Sequence, residues 1–116
     1  MKVINLKEEG SKIPNLYQYE VIAKMNGHNF TIVRVKDRTL EFHIHPDSDE
    51  VFFIVDGKMK LEFRNETVEL DTGEMCVVPK GIEHRPICTT EVTCLLIEYD
   101  WTLTTEKTGG TYTGQL

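Results

Sequence analysis

His43-Ile44-His45-Pro46-Asp47-Ser48-Asp49-Glu50-Val51-Phe52-Phe53-Ile54-Val55-Asp56-Gly57 is the stretch on which the reading of this chain turns. Two histidines flank a single residue. On a β-strand, side chains alternate with period two, so both imidazoles point to one face, with Cα atoms about 6.5 Å apart. A metal ion takes imidazole nitrogens at about 2.1 Å, so the two rings can converge on one ion. Glu50 opens the next strand after the loop Pro46-Asp47-Ser48-Asp49, which can bring its carboxylate to the same point. His84 follows Pro79-Lys80-Gly81 and can reach that point from another strand.

Outward from this stretch, the chain is a series of short β-rich runs broken by turns. Val21 to Met25 and Phe30 to Val35 read as strands around Asn26-Gly27, and Thr39 to His45 as a strand ended by Pro46, with Ile44 turned into apolar packing. Glu50 to Val55 and Lys58 to Arg64 flank Asp56-Gly57, a dipeptide that favours the type I′ turn of a tight hairpin. Met59, Leu61 and Phe63 share one face of the second run, and Lys58, Lys60, Glu62 and Arg64 the other. Val68 to Leu70 leads into the turn Asp71-Thr72-Gly73-Glu74. Met75 to Val78 reads as a buried strand, and His84 to Thr89 and Val92 to Tyr99 complete the set.

Glu50 to Val55 is apolar on both faces, so both faces are covered, the outer one by N-terminal strands or by a second subunit. No apolar stripe of helical period is long enough for a stable helix. About ten strands without a long helix imply an all-β sandwich, barrel or jelly roll. One domain fits 116 residues: an N-terminal arm over 1–18, a barrel over 19–100, and a Thr- and Gly-rich tail of little regular structure over 101–116, pinned by Trp101 or Tyr112.

The net charge of −6, with no basic run, argues against a nucleic-acid partner. No run approaches the roughly 18 apolar residues of a membrane helix, and the N-terminus lacks the apolar stretch of a signal peptide. Cys76, Cys88 and Cys94 are odd in number and widely spaced, which points to free thiols and a cytoplasmic location.

The spacing in residues 43 to 57 — two histidines around one residue, four residues, Glu, six residues, Gly — resembles the first motif of the cupins. Residues 73 to 84 read Gly73-Glu74-Met75-Cys76-Val77-Val78-Pro79-Lys80-Gly81-Ile82-Glu83-His84 and resemble the second: Gly, five residues, Pro, one residue, Gly, two residues, His. The two segments lie 15 residues apart, as in small single-domain cupins. This resemblance implies a double-stranded β-helix, or jelly-roll barrel, with His43, His45, Glu50 and His84 as ligands of one divalent metal ion. The departures are Asp37, where the first motif often has glycine, and Arg85-Pro86-Ile87-Cys88, where an asparagine often follows the second. Neither position is a usual ligand, but both weaken a transfer to a particular cupin enzyme. His84-Arg85-Pro86 and Leu95-Leu96-Ile97-Glu98 are similar to the group loosely named mannose-6-phosphate isomerase-like, which has no settled activity.

Glu41 falls on the predicted face of His43, and Cys88 on that of His84; both are candidate catalytic or cavity-lining residues. Each has an equally plain structural role, Glu41 as a strand-end charge and Cys88 as a small buried apolar residue. Cys76 and Cys94 read as core residues, and His28 as a surface residue. Arg34, Lys80 and Arg85 are the cations that a sugar-phosphate substrate would call on. Three imidazoles and one carboxylate suit Fe, Mn, Ni, Co or Zn. The expected function is a metal-dependent enzyme (isomerase, lyase or dioxygenase type) acting on a small polar molecule. A non-catalytic small-molecule or metal binder is the alternative. A scaffold with a vestigial site is disfavoured, because all four ligand positions are filled. A homodimer is the expected assembly.

Overall fold

In a computed structural model, which describes residues 1–100 and 111–113, the chain forms two facing sheets. One short helix, α1 (Leu6–Lys12), precedes strands β1 (Gln18–Met25), β2 (His28–Val35), β3 (Arg38–Thr39), β4 (Glu50–Asp56), β5 (Lys58–Phe63), β6 (Thr67–Asp71), β7 (Met75–Val78), β8 (His84–Cys88), β9 (Val92–Tyr99) and β10 (Thr111–Thr113). The larger sheet has the order β10-β1-β2-β9-β4-β7 and the smaller β3-β8-β5-β6. All pairings are antiparallel except β1–β10. This is the all-β, double-stranded β-helix barrel that the strand count and the motifs imply.

Two similar dipeptides fold differently. Asn26 and Gly27 both take positive φ (50° and 77°) and close a true two-residue hairpin between β1 and β2. Asp56-Gly57 does not. Only Gly57 has positive φ (107°), and β4 and β5 lie in different sheets, so the expected hairpin is instead a corner that carries the chain across the barrel. Thr72 holds the corner: its hydroxyl accepts from Gly57 N at 3.0 Å and donates to Gly57 O at 3.2 Å. A Cβ at position 57 would stand 2.7 Å from the Glu91 carbonyl oxygen, so the close approach of two chain segments also demands glycine.

The main core fills the barrel with Val33, Val35, Phe52, Ile54, Met59, Leu61, Val92, Cys94 and Leu96. β5 alternates as its sequence demands, Met59 and Leu61 inward and Lys58 and Lys60 outward. A second cluster lies on the outer face of the larger sheet, where Ile13, Ile32 and Leu95 gather Leu6, Phe53 and Val55. The N-terminal segment, as a helix and not as strands, therefore covers the Phe53 and Val55 end of the outer face of β4. The helix has seven residues, too few for its period to show in the sequence. The Asn5 side chain accepts from Glu8 N at 3.0 Å, with Glu8 and Glu9 in the first turn. Gly10 lets α1 sit close, since a Cβ there would lie 2.7 Å from Thr93 Cγ2.

Two further expectations are corrected. β7 is a sheet edge and not a buried strand; Met75 and Val77 are 56% and 51% exposed. Residues 40–45 do not continue β3 as a regular strand, and Ile44 faces solvent. The C-terminal tail contains β10, whose Tyr112 pairs with Tyr19 in parallel register. Trp101 lies outside the described residues.

Candidate metal centre

His43 and His84 sit directly opposite one another. His43 N donates to His84 O and His84 N to His43 O, both at 3.0 Å, in a single isolated bridge. That pair of bonds replaces the regular strand expected across 39–45 and is enough to fix His43 at the start of β8. His45 is held by a different tie: Gly81 N donates to its carbonyl at 3.0 Å. The neighbouring Lys80 N donates to Asp49 Oδ1 at 2.8 Å. The loop before Glu50 and the turn before His84 are thus bonded to each other, so the two motif segments build one rigid unit. Ser48, 1% exposed, completes it by accepting from Tyr99 N at 3.0 Å.

These ties bring together one donor atom each from His43, His45, Glu50 and His84, all within 4.8 Å of one another. Ligands at about 2.1 Å from one ion lie at most about 4.2 Å apart, so small ring rotations bring the four to bonding distance. His45, Glu50 and His84 are buried and His43 is half-buried. His84 Nε2 lies 3.2 Å and His45 Nε2 3.4 Å from Glu50 Oε1. On the far side of the ring, His84 Nδ1 lies 2.8 Å from the Ile82 carbonyl, and His43 Nδ1 lies 2.9 Å from that of Glu41. A carbonyl oxygen only accepts, so each Nδ1 carries a proton, and each Nε2 is the nitrogen turned toward the site, able to donate to Glu50 or, once deprotonated, to bind a metal. The donor set fits a borderline divalent ion.

Electrostatics agree with that use. Burial by itself pushes the Glu50 carboxyl up, but hydrogen bonds with His45 and His84 outweigh it and bring the group down to about 2. Burial, aided by the nearby His84 and His45, lowers His43 against the opposing Glu41 carbonyl and Glu50 charge, which favours a neutral imidazole. A neutral imidazole and an ionised carboxylate are the forms that bind metals.

The other candidates lie elsewhere. The Glu41 side chain is exposed, and its carbonyl is what reaches His43. Cys88 does face inward on β8 with His84 and Pro86, but it joins the apolar core, where burial pushes its thiol up. Cys94 is core as expected, whereas Cys76 is only partly buried. His28 stacks on Tyr99 with ring centroids 4.5 Å apart. Arg34 reaches the Ile13 carbonyl and Glu91, and Arg85 reaches Glu62 at 2.6 Å and lies over the Phe42 ring. Sequence reading missed the buried Ser48 and the two carbonyl locks. A serine between two aspartates reads as loop polarity, and backbone oxygens carry no residue signature.

Residues 29–99 match the family described as Cupin domain. The protein YdbB of Bacillus subtilis is 33% identical in an 85-residue alignment that covers 65% of this chain and 75% of that protein. A cupin-2 domain containing protein from Shewanella frigidimarina superposes with a TM-score of 0.78 at 37% identity, covering 84% of this chain and 94% of that one. Protein NMB1881 from Neisseria meningitidis gives 0.75 at 34% identity, covering 85% and 100%.

Proposed function

This chain belongs to the cupin family, and from that premise we propose that it is a metal-dependent enzyme acting on a small polar molecule, with one divalent transition ion (Fe, Mn, Ni, Co or Zn) held by His43, His45, Glu50 and His84. The observation that carries the reading is the convergence of three imidazoles and one carboxylate within 4.8 Å inside a barrel with its own apolar core. A bound ion would supply Lewis acidity toward a carbonyl or hydroxyl oxygen. The protein's part is to hold the ligands in register. The His43–His84 backbone bridge, the Gly81–His45 bond and the carbonyls of Glu41 and Ile82 fix both position and tautomer. Four protein ligands on a six-coordinate ion leave two positions for water or a chelating substrate, unlike a structural zinc closed by four ligands, commonly including cysteine.

The test is metal analysis of protein purified without a His tag, then a thermal-shift screen and turnover assays with small hydroxy, oxo and carboxylic compounds on the correctly loaded protein. Metal-dependent turnover is the expected result. Tight binding without turnover of any bound compound would replace the enzyme with a non-catalytic binder.

A further inference from the structure

Beside the four ligands, three neighbouring strands place polar side chains where packing alone would ask for apolar ones. The inward positions of β2 are Asn29, Thr31, Val33 and Val35, and those of β9 are Val92, Cys94, Leu96 and Glu98. Asn29 pairs with Glu98 and Thr31 with Leu96 across these strands. On the other side of β9, Ile97 pairs with Val51, which sets Glu98 about one strand spacing, roughly 4.8 Å, from Glu50. Asn29, Glu98 and Glu50 therefore form one row across β2, β9 and β4 at the metal end of the barrel, with Thr31 one step deeper. Asn29 and Thr31 are 0% exposed and Glu98 is 1% exposed.

Asn29 Nδ2 donates to the Asp100 carbonyl at 3.4 Å, which assigns the remaining Oδ1 as the free end of the amide. Among the described residues neither Asn29 Oδ1 nor Thr31 Oγ1 has a hydrogen-bond partner. Asn29 Oδ1 is an acceptor only, and Glu50 is already engaged by His45 and His84. Buried acceptors left without donors cost stability, so such groups are retained where something else supplies the donor. Three arginines that could recognise a phosphate are engaged elsewhere: Arg34 with Ile13 and Glu91, Arg85 with Glu62, and Arg38 over the rings of Tyr17 and Tyr19.

We infer that Asn29 Oδ1 and Thr31 Oγ1 form a hydrogen-bond-accepting subsite for the O–H groups of a small hydroxylated chelator, an α-hydroxy acid or polyol held at its other end by the metal. This rests on the metal-dependent reading above and narrows its substrate class to donor-bearing molecules. Thr31 and Asn29 are specificity residues here, and the four ligands hold the metal without them.

The experiment compares native protein with Thr31→Val, which keeps the shape and removes the hydroxyl, and with Asn29→Ala. Metal content is measured first. Calorimetry then measures binding of glycolate, and of methoxyacetate, which has the same chelating frame but no O–H. Native protein binds glycolate at least about tenfold more tightly, about 1.4 kcal/mol. Both variants keep the native metal content and lose most of that ratio, and Thr31→Val melts no lower than native protein when ligand-free. A native ratio near one, a ratio unchanged in both variants, or a Thr31→Val protein that melts several degrees lower would overturn the subsite. Absence of metal from native protein would instead overturn the metal reading. The melting comparison, which needs no metal, would still show whether Thr31 carries a structural hydrogen bond.

Discussion

His84 Nε2 lies 3.2 Å from Glu50 Oε1 while Nδ1 of the same ring is held by the Ile82 carbonyl, so the protein itself aligns these two buried candidate ligands. Glu50 needs no metal to satisfy its carboxylate, and the barrel core is built from other residues. Stripping metal with a chelator should therefore leave the β-rich circular dichroism intact, with only a modest fall in melting temperature. Ligand binding and turnover should be lost. Global unfolding on chelation would make the ion a structural element and remove the basis for both enzyme and binder.

Ser48 joins the Glu50 loop to the end of β9 through its bond from Tyr99 N. Ser48→Ala removes the acceptor of that partly buried N–H, at a cost of about 1 kcal/mol. Denaturant unfolding should show a lower midpoint with an unchanged slope. A midpoint equal to that of the native protein would mean that this tie does not hold the loop.

Burial chiefly raises the Tyr19 phenol from 10.0 to about 12, against the lowering influence of Arg38. A folded-state value above the unfolded one favours the protonated form in the fold. Its stability contribution is complete below pH 10 and is lost as pH rises from 10 toward 12, by about 2–3 kcal/mol in all. Absorbance titration of the four tyrosines should show one phenolate that appears late, together with alkaline unfolding. Replacing Tyr19 with Phe should remove the late step; its persistence would assign it to another tyrosine.

The N-terminal helix covers the Phe53 and Val55 end of the outer sheet face, but edge strand β7 keeps Val77 and Met75 exposed beside Val51 and Phe53. We propose that a second copy of the chain covers this edge. An edge strand with unpaired backbone groups and apolar side chains is a surface that proteins otherwise blunt or cover. Light scattering at micromolar concentration should give twice the 13.4 kDa chain mass, and Val77→Lys should shift it toward the monomer. A monomeric native protein contradicts this.

Legibility followed physics that the sequence records. Period-two alternation in Lys58–Phe63, the turn residues Asn26-Gly27 and the spacing of His43, His45, Glu50 and His84 each report a local constraint, and each led to the right element or cluster. Asp56-Gly57 misled because a dipeptide encodes backbone reversal but not whether the following strand returns to the same sheet. Met75 to Val78 misled because an apolar run does not distinguish a central strand from an edge awaiting a cover. Helix α1 escaped because its stability comes from packing against the outer sheet face and not from its own seven residues. Asn29, Thr31 and Glu98 carried a faint signal, polar residues on the inward face of apolar strands, which gains meaning only once the register places them in one row.

The most direct test of the metal centre is elemental mass spectrometry on tag-free protein and on a His43→Ala/His84→Ala variant. Native protein should carry about one borderline transition metal ion per chain, and the double variant, still folded by circular dichroism, should carry almost none. Metal content undiminished in the double variant would contradict the assignment of these residues as its ligands.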